Sequence, residues 1–396
     1  MTLFTPLRRM AVLILAAMCL AFASPAQDNA AAVPKPIISV LLPLQLDSLF
    51  ELDKYRFGNN IPRFALPYLE FYNGVQLAVD SLRKEGLPVH INIVDSRELG
   101  SMQVALTNPL VRQSKLLIGV AANVNELRQM AEFAKTKRIP LLSATLPNDG
   151  GIKYNNLLYV LNPTMRTQCE ALYGYVLAQH SKDNVILLTR KGTIEGYLKS
   201  WLEAAGAKSV RPIRWKTSML TDSFSVAQLL PLLDSTRQNV LIGASMDLSF
   251  AGRLAQQVAG AKRYKCTLVG MPNWDELSLN KAEYKGLELV FGTAFLSSSG
   301  NLDLYTRLSK QYSQLQNSKP SDMVLRGFET TLRYARAIVL ADSSELPVLF
   351  NSRAYRVFND FNFQPMTDGT ESQVHYFENR KVHFLKLVDG QLKGVY

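Results

Sequence analysis

The chain has 396 residues, more than a single hydrophobic core usually accommodates, so the sequence predicts two lobes. Hydrophobic residues make up 47% of the chain and charged residues 19%, a balance that is typical of globular proteins and excludes a disordered chain. The formal net charge is +11, but the basic residues are scattered in ones and twos, without a basic stripe interleaved with aromatic residues. We therefore expect no nucleic-acid partner.

Residues 1–26 have the pattern of a cleaved signal peptide. Arg8 and Arg9 precede the apolar run Met10–Ala23, and Ser24–Ala26 supplies the small residues that signal peptidase requires. The apolar run is about 14 residues long, shorter than the roughly 20 that a membrane-spanning helix needs. The sequence therefore predicts export to the periplasm or another extracytoplasmic compartment. The mature chain should have no integral membrane segment and a net charge of 11 − 2 = +9.

After a short linker at residues 27–36, the chain reads as a strand, a helix and a second strand. Ile37–Leu44 is a continuous apolar run, as in a strand that is buried on both faces. Phe71–Gly86 has apolar residues at helical spacing and ends in glycine, and Leu87–Ile93 alternates between apolar and polar residues. Such a unit makes a right-handed crossover in a parallel sheet, whose ligands bind beyond the carboxyl ends of the strands.

The connection Asp47–Glu70 is unusually long and rich in aromatic residues. Long loops in compact domains tend to be either functional lids or disordered. Its aromatic residues favour an ordered segment, and they are Phe50, Tyr55, Phe57, Phe64 and Tyr68.

Strand and helix patterns alternate through the rest of the chain. In the first half, strand patterns at Lys115–Val120 and Ile139–Leu142 flank a helix pattern at Glu126–Lys137. The pattern starts again after Asn162-Pro163, with strands at Asn184–Leu188, Ser209–Trp215, Asn239–Ile242, Lys265–Gly270 and Leu287–Ala294. The sequence therefore predicts two Rossmann-like α/β lobes with parallel sheets. It also predicts a closing hairpin at Val374–Val388, which would place His375 and His383 on adjacent strands.

In their order and spacing, several of these stretches resemble the type I periplasmic binding proteins, the family of leucine/isoleucine/valine-binding receptors. The matching stretches are IISVLLPL, FYNGVQLAVDSL, HINIVDS, LLIGV, IPLLSATLP, LYVLNPTMRTQ, LVGMPNW and SDMVLRGFETT. They extend from about Ile37 to Phe361. Within the family the chain is most similar to the envelope branch whose members often carry a LysM peptidoglycan-binding domain.

The resemblance implies two lobes, joined by three crossings of the chain, that close on a ligand by hinge bending. Lobe I would comprise residues 37–161 and 299–345, and lobe II residues 162–298 and 346–396. The crossings implied by the resemblance are Asn162-Pro163, Thr293–Ser298 and Asp342–Val348.

The resemblance also implies a ligand site between the lobes. In amino-acid-binding members, the segment that matches Ser143, Ala144 and Thr145 supplies hydroxyl and backbone N–H groups to the ligand's carboxylate. Asn123 stands where a serine often assists them. From the second lobe, the ligand-binding candidates are Arg190, Asp247, Asn273, Trp274 and Asp275. Other roles remain open: the serine, threonine and aspartates could be turn residues or helix caps, and Trp274 could pack beneath its loop.

The sequence contains no recognisable catalytic motif. There is no Gly-x-Ser-x-Gly elbow, no His-Glu-x-x-His and no phosphate-binding glycine-rich loop. We therefore expect no enzyme activity, no cofactor and no metal. Cys169 and Cys266 could pair in an oxidising compartment, but their spacing does not decide it.

Two functions remain open. One is an extracytoplasmic solute-binding protein for a small polar ligand, amino acid-like or cell-wall-derived, with an ABC permease as partner. The other is a non-transport envelope module that acts through protein partners such as a cell-wall enzyme, or in peptidoglycan-related regulation.

Overall fold

The computed structural model describes residues 34–278, 282–296, 301–341, 345–369 and 373–395. The predicted signal peptide and most of the linker lie outside these residues. In the described part, no helix is both long enough and apolar enough to span a membrane.

Sixteen strands, twelve α-helices and four short 3-10 helices make up the described fold. The strands are β1 (Ile37–Leu42), β2 (Phe50–Glu51), β3 (Lys54–Tyr55), β4 (His90–Asp95), β5 (Leu116–Gly119), β6 (Leu141–Ser143), β7 (Leu158–Val160), β8 (Asn184–Thr189), β9 (Lys216–Met219), β10 (Asn239–Ala244), β11 (Cys266–Gly270), β12 (Glu288–Thr293), β13 (Phe363–Met366), β14 (Tyr376–Asn379), β15 (His383–Val388) and β16 (Gln391–Gly394). The helices are α1 (Leu46–Leu49), α2 (Leu66–Lys84), α3 (Met102–Thr107), α4 (Pro109–Arg112), α5 (Val124–Lys137), α6 (Met165–His180), α7 (Thr193–Ala207), α8 (Val226–Leu229), α9 (Leu248–Gly260), α10 (Leu302–Gln316), α11 (Asp322–Leu340) and α12 (Leu346–Asn351).

The first lobe is built on a sheet with strand order β13-β14-β7-β6-β5-β1-β4. All of its strands are parallel except β13, which runs antiparallel at one edge. Successive residues of β1 point to opposite faces, so Val40 packs with α2 and α11 while Leu41 packs with α3 and α5. This is why five of the six residues of β1 are apolar, while the remaining one, Ser39, is buried with its hydroxyl 2.7 Å from that of Ser114.

The second lobe is built on a sheet with strand order β16-β15-β12-β11-β10-β8-β9. Strands β8 to β12 are parallel, and β15 and β16 add an antiparallel hairpin at one edge. Every residue of β8 and β10 is buried, because helices cover both faces. The prediction of two α/β lobes with parallel sheets is confirmed.

The structure corrects the predicted lobe boundary near the C-terminus. Helix α12 buries Leu349 and Phe350 in the first-lobe core, and β14 pairs with β7 through Phe377 and Tyr159. Residues 345–369 and 373–379 therefore belong to the first lobe, not the second as expected. The prediction of a crossing at Asp342–Val348 was also wrong, because α11 and α12 on either side of it pack on the same core; residues 342–344 lie outside the described residues.

The chain instead crosses to the second lobe at Arg380–Val382, between β14 and β15. The predicted hairpin at Val374–Val388 does not form, because these two strands belong to different sheets. The chain also changes lobe after β7, at Asn162-Pro163, and between β12 and α10, where residues 297–300 lie outside the described part.

Helices α2 and α11 touch backbone to backbone, and two glycines allow this approach. A β-carbon on Gly74 would lie 2.0 Å from the carbonyl oxygen of Val324. A β-carbon on Gly327 would lie 2.2 Å from the carbonyl oxygen of Phe71. Neither contact is tolerable, so any larger residue has to push the helices apart.

We expect Gly74→Ala to lower the free energy of unfolding by about 1–3 kcal/mol, because the clash is with backbone that no rotamer change can move. Urea unfolding followed by far-ultraviolet circular dichroism measures the loss. Gly174→Ala is the matched control: Gly174 is exposed within α6 and a β-carbon there meets no atom within 4 Å. That variant should gain about 0.5–1 kcal/mol from helix propensity. Equal effects of the two substitutions would contradict the close helix contact.

Candidate functional site

The predicted site residues lie at the carboxyl ends of parallel strands in both lobes. In the first lobe, Asn123 lies after β5. Ser143 is the last residue of β6, and Ala144 and Thr145 follow it. In the second lobe, Arg190 follows β8, Asp247 follows β10, and a single 3-10 turn, Pro272–Glu276, follows β11. Since parallel strands end at one edge of their sheet, each lobe brings its own candidates together.

One candidate of the second lobe, Asp275, is influenced by charges on α11 of the first lobe. Asp275 belongs to the second lobe, and Asp322 and Arg326 belong to α11 of the first. Local burial and the carboxylates of Glu276 and Asp322 raise the pKa of Asp275, while Arg326 opposes this shift. Asp275 therefore lies within electrostatic range of the first lobe.

Ser143 is the strongest candidate in the first lobe. Its side chain is fully buried, and its hydroxyl has no hydrogen-bond partner among the described residues. Thr145 is half-buried, and its carbonyl oxygen accepts a hydrogen bond of 2.8 Å from the Asn162 side chain at the first crossing. Ala144 is fully buried and donates its N–H to the Gly119 carbonyl at 2.9 Å, so this N–H is not available to a ligand as the resemblance implied.

Asn123 has a structural role, as the N-cap of α5. Its side-chain oxygen accepts the N–H of Glu126 at 3.0 Å, and its amide nitrogen donates back to the Glu126 carboxylate at 3.2 Å. That carboxylate also accepts the Ala122 N–H at 2.9 Å and the Arg97 Nε–H at 2.8 Å. The protein's own carboxylate thus occupies the donors at the end of β5, which a ligand carboxylate would otherwise use.

Sequence reasoning missed Glu126, Arg97 and Tyr68 at this edge. Burial, followed by the Glu126 carboxylate, raises the pKa of Tyr68, so its phenol remains a hydrogen-bond donor. The spacing of Asn123 and Glu126 is close to that of a capping box, a signal that could have identified the carboxylate. Tyr68 lies at the end of the aromatic connection, in the first turn of α2.

In the second lobe, Arg190 and Asp247 neutralise each other. Arg190 Nη1 lies 2.6 Å from Asp247 Oδ2, and Arg190 Nε lies 3.0 Å from Asp222 Oδ1. Asp247 also caps α9, accepting the Phe250 N–H at 2.8 Å. That hydrogen bond, with the Arg190 charge, holds the pKa of Asp247 below its usual value. The helix-cap role left open for Asp247 is therefore present in the structure.

Trp274 does not present a face to a ligand. Its side chain is 0% exposed, and its Nε1–H donates to the Ser245 carbonyl at 2.8 Å. The indole ring covers Gly243 and Gly270, where a β-carbon would lie 2.1 and 2.3 Å from it. The packing role that was left open for Trp274 is present in this structure, because the ring packs beneath its own loop, and contact with a ligand stays a prediction.

Asn273 is the remaining polar candidate of this turn. Its side-chain nitrogen donates to the Met246 carbonyl at 2.8 Å. Its side-chain oxygen is buried and has no hydrogen-bond partner within the described part of the chain. This oxygen can accept a hydrogen bond from a ligand or a water.

The histidines and cysteines form no site in the described residues. His375 and His383 belong to different lobes, so they do not lie on adjacent strands as predicted, and burial lowers the pKa of His383 to about 4. Cys169 and Cys266 are free thiols whose pKa values burial raises to about 12 and about 11. No group of three potential metal ligands occurs among the residues that were described.

No protein-family model matches the sequence, and no curated protein matches it. Solved structures do match its fold. An ABC transporter substrate-binding protein from Desulfitobacterium hafniense, in complex with Leu, is 14% identical, with a TM-score of 0.57 over 91% of this chain and 100% of that chain. A branched-chain amino acid ABC transporter periplasmic ligand-binding protein from Burkholderia xenovorans is 13% identical, with a TM-score of 0.58 over 91% of this chain and 95% of that chain.

A solute-binding protein of an ABC transporter from R. palustris, in complex with benzoate, is 11% identical, with a TM-score of 0.51 over 91% of this chain and 95% of that chain. At these identities the likeness concerns the fold alone. The two lobes, their strand orders and these neighbours give the chain the fold of the type I periplasmic binding proteins.

Proposed function

We propose that the chain is an extracytoplasmic solute-binding protein, not an enzyme, that closes its two lobes around a small polar ligand and delivers it to an ABC permease. The observation that carries the proposal is the set of hydrogen-bonding groups at the carboxyl ends of two parallel sheets, above all the buried, unpartnered hydroxyl of Ser143. Other buried hydroxyls of the described residues, such as that of Ser309, also have no partner, but Ser143 lies at the carboxyl end of a strand, where a ligand would satisfy its hydroxyl. The predicted signal peptide and the periplasmic neighbour support the location.

The paired charges constrain the ligand. Arg97 is neutralised by Glu126, and Arg190 by Asp222 and Asp247, so a charged ligand has to compete with internal partners. The groups that the two edges still offer are hydroxyls, amides and the Asp275 carboxyl, whose pKa is raised. We infer a small ligand bound mainly by hydrogen bonds, and the two classes to test are amino acid-like compounds and cell-wall-derived fragments.

A thermal-shift screen tests the proposal with free amino acids, benzoate and disaccharide-peptide fragments of the cell wall. A ligand at 100 times its dissociation constant stabilises the folded state by about 2.7 kcal/mol. No stabilisation by any compound would overturn solute binding and favour the alternative of an envelope module that acts through protein partners.

For any compound that binds, Ser143→Ala should weaken affinity by about 0.5–1.5 kcal/mol, because one hydrogen bond to the ligand is lost. Its melting temperature without ligand should not fall, since the hydroxyl has no partner to lose among the described residues. Thr145→Val tests the neighbouring hydroxyl in the same way. Ser309→Ala, which removes an unpartnered hydroxyl from α10, is the control and should keep wild-type affinity. Wild-type affinity in both site variants would remove Ser143 and Thr145 from the site.

A further inference from the structure

The aromatic connection noted in the sequence folds over the first lobe as an ordered unit, here called the aromatic insert (residues 45–65). It comprises α1, the β2–β3 hairpin and the turn that leads into α2. The N–H groups of Gln45 and Leu46 anchor its start to the Asp95 carboxylate, at 3.2 and 2.9 Å. Four aromatic rings follow one another along it, with centroid distances of 5.5, 5.9 and 6.2 Å between Phe50, Tyr55, Phe57 and Phe64.

A cavity of about 510 Å³ lies between the aromatic insert and the first turns of α2. Leu49, Ala65, Leu69 and Tyr72 form part of its wall, and none of its lining residues is charged. All lining residues fall between positions 44 and 72, so the second lobe contributes none of them. The cavity is therefore formed by the first lobe alone, and Tyr72 of its wall lies one helical turn after Tyr68 of the sheet edge described above.

The mouth of the cavity is apolar and open to solvent. Leu46, Phe50 and Ile61 line the cavity, yet they are 44%, 44% and 49% exposed. Leu52 and Phe64 of the same insert are also exposed, at 97% and 42%. Soluble proteins rarely leave apolar side chains clustered in solvent unless something binds there, because covering such a surface is favourable.

The lining defines the chemistry of the occupant. The volume of the cavity lies within the range of roughly 300–1,000 Å³ that is typical of small-molecule sites. Without a charged side chain in the lining, the cavity disfavours a charged group, which would lose its hydration without compensation. The side-chain amides of Asn59 and Asn60 supply the polar groups that could hold a carbonyl or hydroxyl at one end of a ligand.

We propose that this cavity is a second ligand site, separate from the interlobe site, for an uncharged and largely apolar small molecule such as a hydrocarbon chain or an aromatic ring system with one polar end. Binding covers the exposed side chains of the mouth. It involves the first lobe alone, so it does not require closure of the lobes.

Titration with the neutral dye N-phenyl-1-naphthylamine, whose fluorescence increases in apolar surroundings, tests this site. The wild-type protein should bind one equivalent in a saturable manner. Ile61→Glu places a carboxylate at the mouth and should weaken dye binding about tenfold or more, since a charge must be desolvated. Ile194→Glu is the matched control, because Ile194 is 54% exposed on α7 of the second lobe. It should bind the dye as the wild type does.

Ala65→Leu adds bulk to the cavity wall without adding charge, and it should also weaken dye binding. Because Ala65 is only 1% exposed, the melting temperature without dye is measured alongside, to show that the variant is folded. Equal dye affinity in the wild type, Ile61→Glu and Ala65→Leu would place the dye elsewhere and overturn the proposal, as would the absence of saturable binding. Competition between the dye and a compound from the thermal-shift screen would show that the two sites are not separate. If the thermal-shift screen finds no ligand, the proposal for this second site is unaffected, because the dye titration does not depend on the screen.

Discussion

Replacing Trp274 with alanine is expected to lower the free energy of unfolding by about 3–5 kcal/mol, because it empties the volume of a large, fully buried side chain. The vacated space lies against Gly243 and Gly270, which have no side chains to fill it. The hydrogen bond to the Ser245 carbonyl is lost as well. Urea unfolding followed by far-ultraviolet circular dichroism measures the effect.

Trp201→Ala is the matched control for this substitution. Trp201 is only partly buried on α7, where it stacks on the exposed Tyr197 with a centroid distance of 5.7 Å, so its loss should cost less. Trp274→Phe keeps most of the buried ring and should retain wild-type affinity for any compound found in the screen. If Trp274→Ala unfolded like the wild type but lost ligand binding, the indole would be a ligand contact and the packing role would be refuted.

Trp274 also shows how far the sequence alone could define the site. The stretch LVGMPNW correctly predicted a strand that ends in a polar loop at the carboxyl edge of a parallel sheet. The direction of the ring depends on Gly243, which lies on a neighbouring strand and leaves space for it. Local patterns predicted most elements, although the strand expected at Ser209–Trp215 lies at Lys216–Met219. They do not report which small residue from another strand lies opposite a large one.

The same reason explains the error at the third crossing. Helix α12 stays with the first lobe because Phe350 stacks on Tyr159 of β7, at a centroid distance of 3.8 Å. Strand β14 adds to β7 beside it, next to the first crossing. These contacts join residues that are far apart in sequence, whereas the strand–helix–strand units that were predicted correctly depend on neighbours. The role of Asn123 could have been predicted from the sequence. Glu126, whose carboxylate accepts the hydrogen bond from the Asn123 side-chain amide, is only three residues away.

Glu329 should be the other residue whose loss is most costly to stability. Its carboxylate is 1% exposed on α11 and accepts the N–H groups of Phe358 and Asn359, at 2.9 and 2.7 Å, and the Asn359 side-chain amide at 2.5 Å. Glu329→Ala leaves three buried donors without an acceptor, each costing about 1–3 kcal/mol but not additively. We expect a loss of about 3–5 kcal/mol in the free energy of unfolding, measured in urea.

Glu329→Gln should fall between the wild type and Glu329→Ala. One oxygen can still accept the two backbone N–H groups, but the new amide nitrogen faces the amide nitrogen of Asn359. Asn359 cannot turn its amide over without losing the hydrogen bond from the Leu296 N–H, at 2.7 Å, which ties the second crossing to this network. Glu132→Gln, an exposed substitution on α5, is the control and should stay within about 0.5 kcal/mol of the wild type.

The pH dependence of these variants tests the charge state of Glu329. Burial holds the pKa of this carboxyl above its usual value, despite the donors around it. The folded state therefore takes up the proton at a higher pH than the unfolded state, whose value is about 4.3. The resulting stabilisation is fully present below that value and is lost as the pH rises through the raised pKa. The stability of the wild type relative to Glu329→Gln should accordingly increase as the pH falls from about 8 towards about 4.5. A difference that stays constant over this range would mean that the donors, and not burial, set the pKa of Glu329.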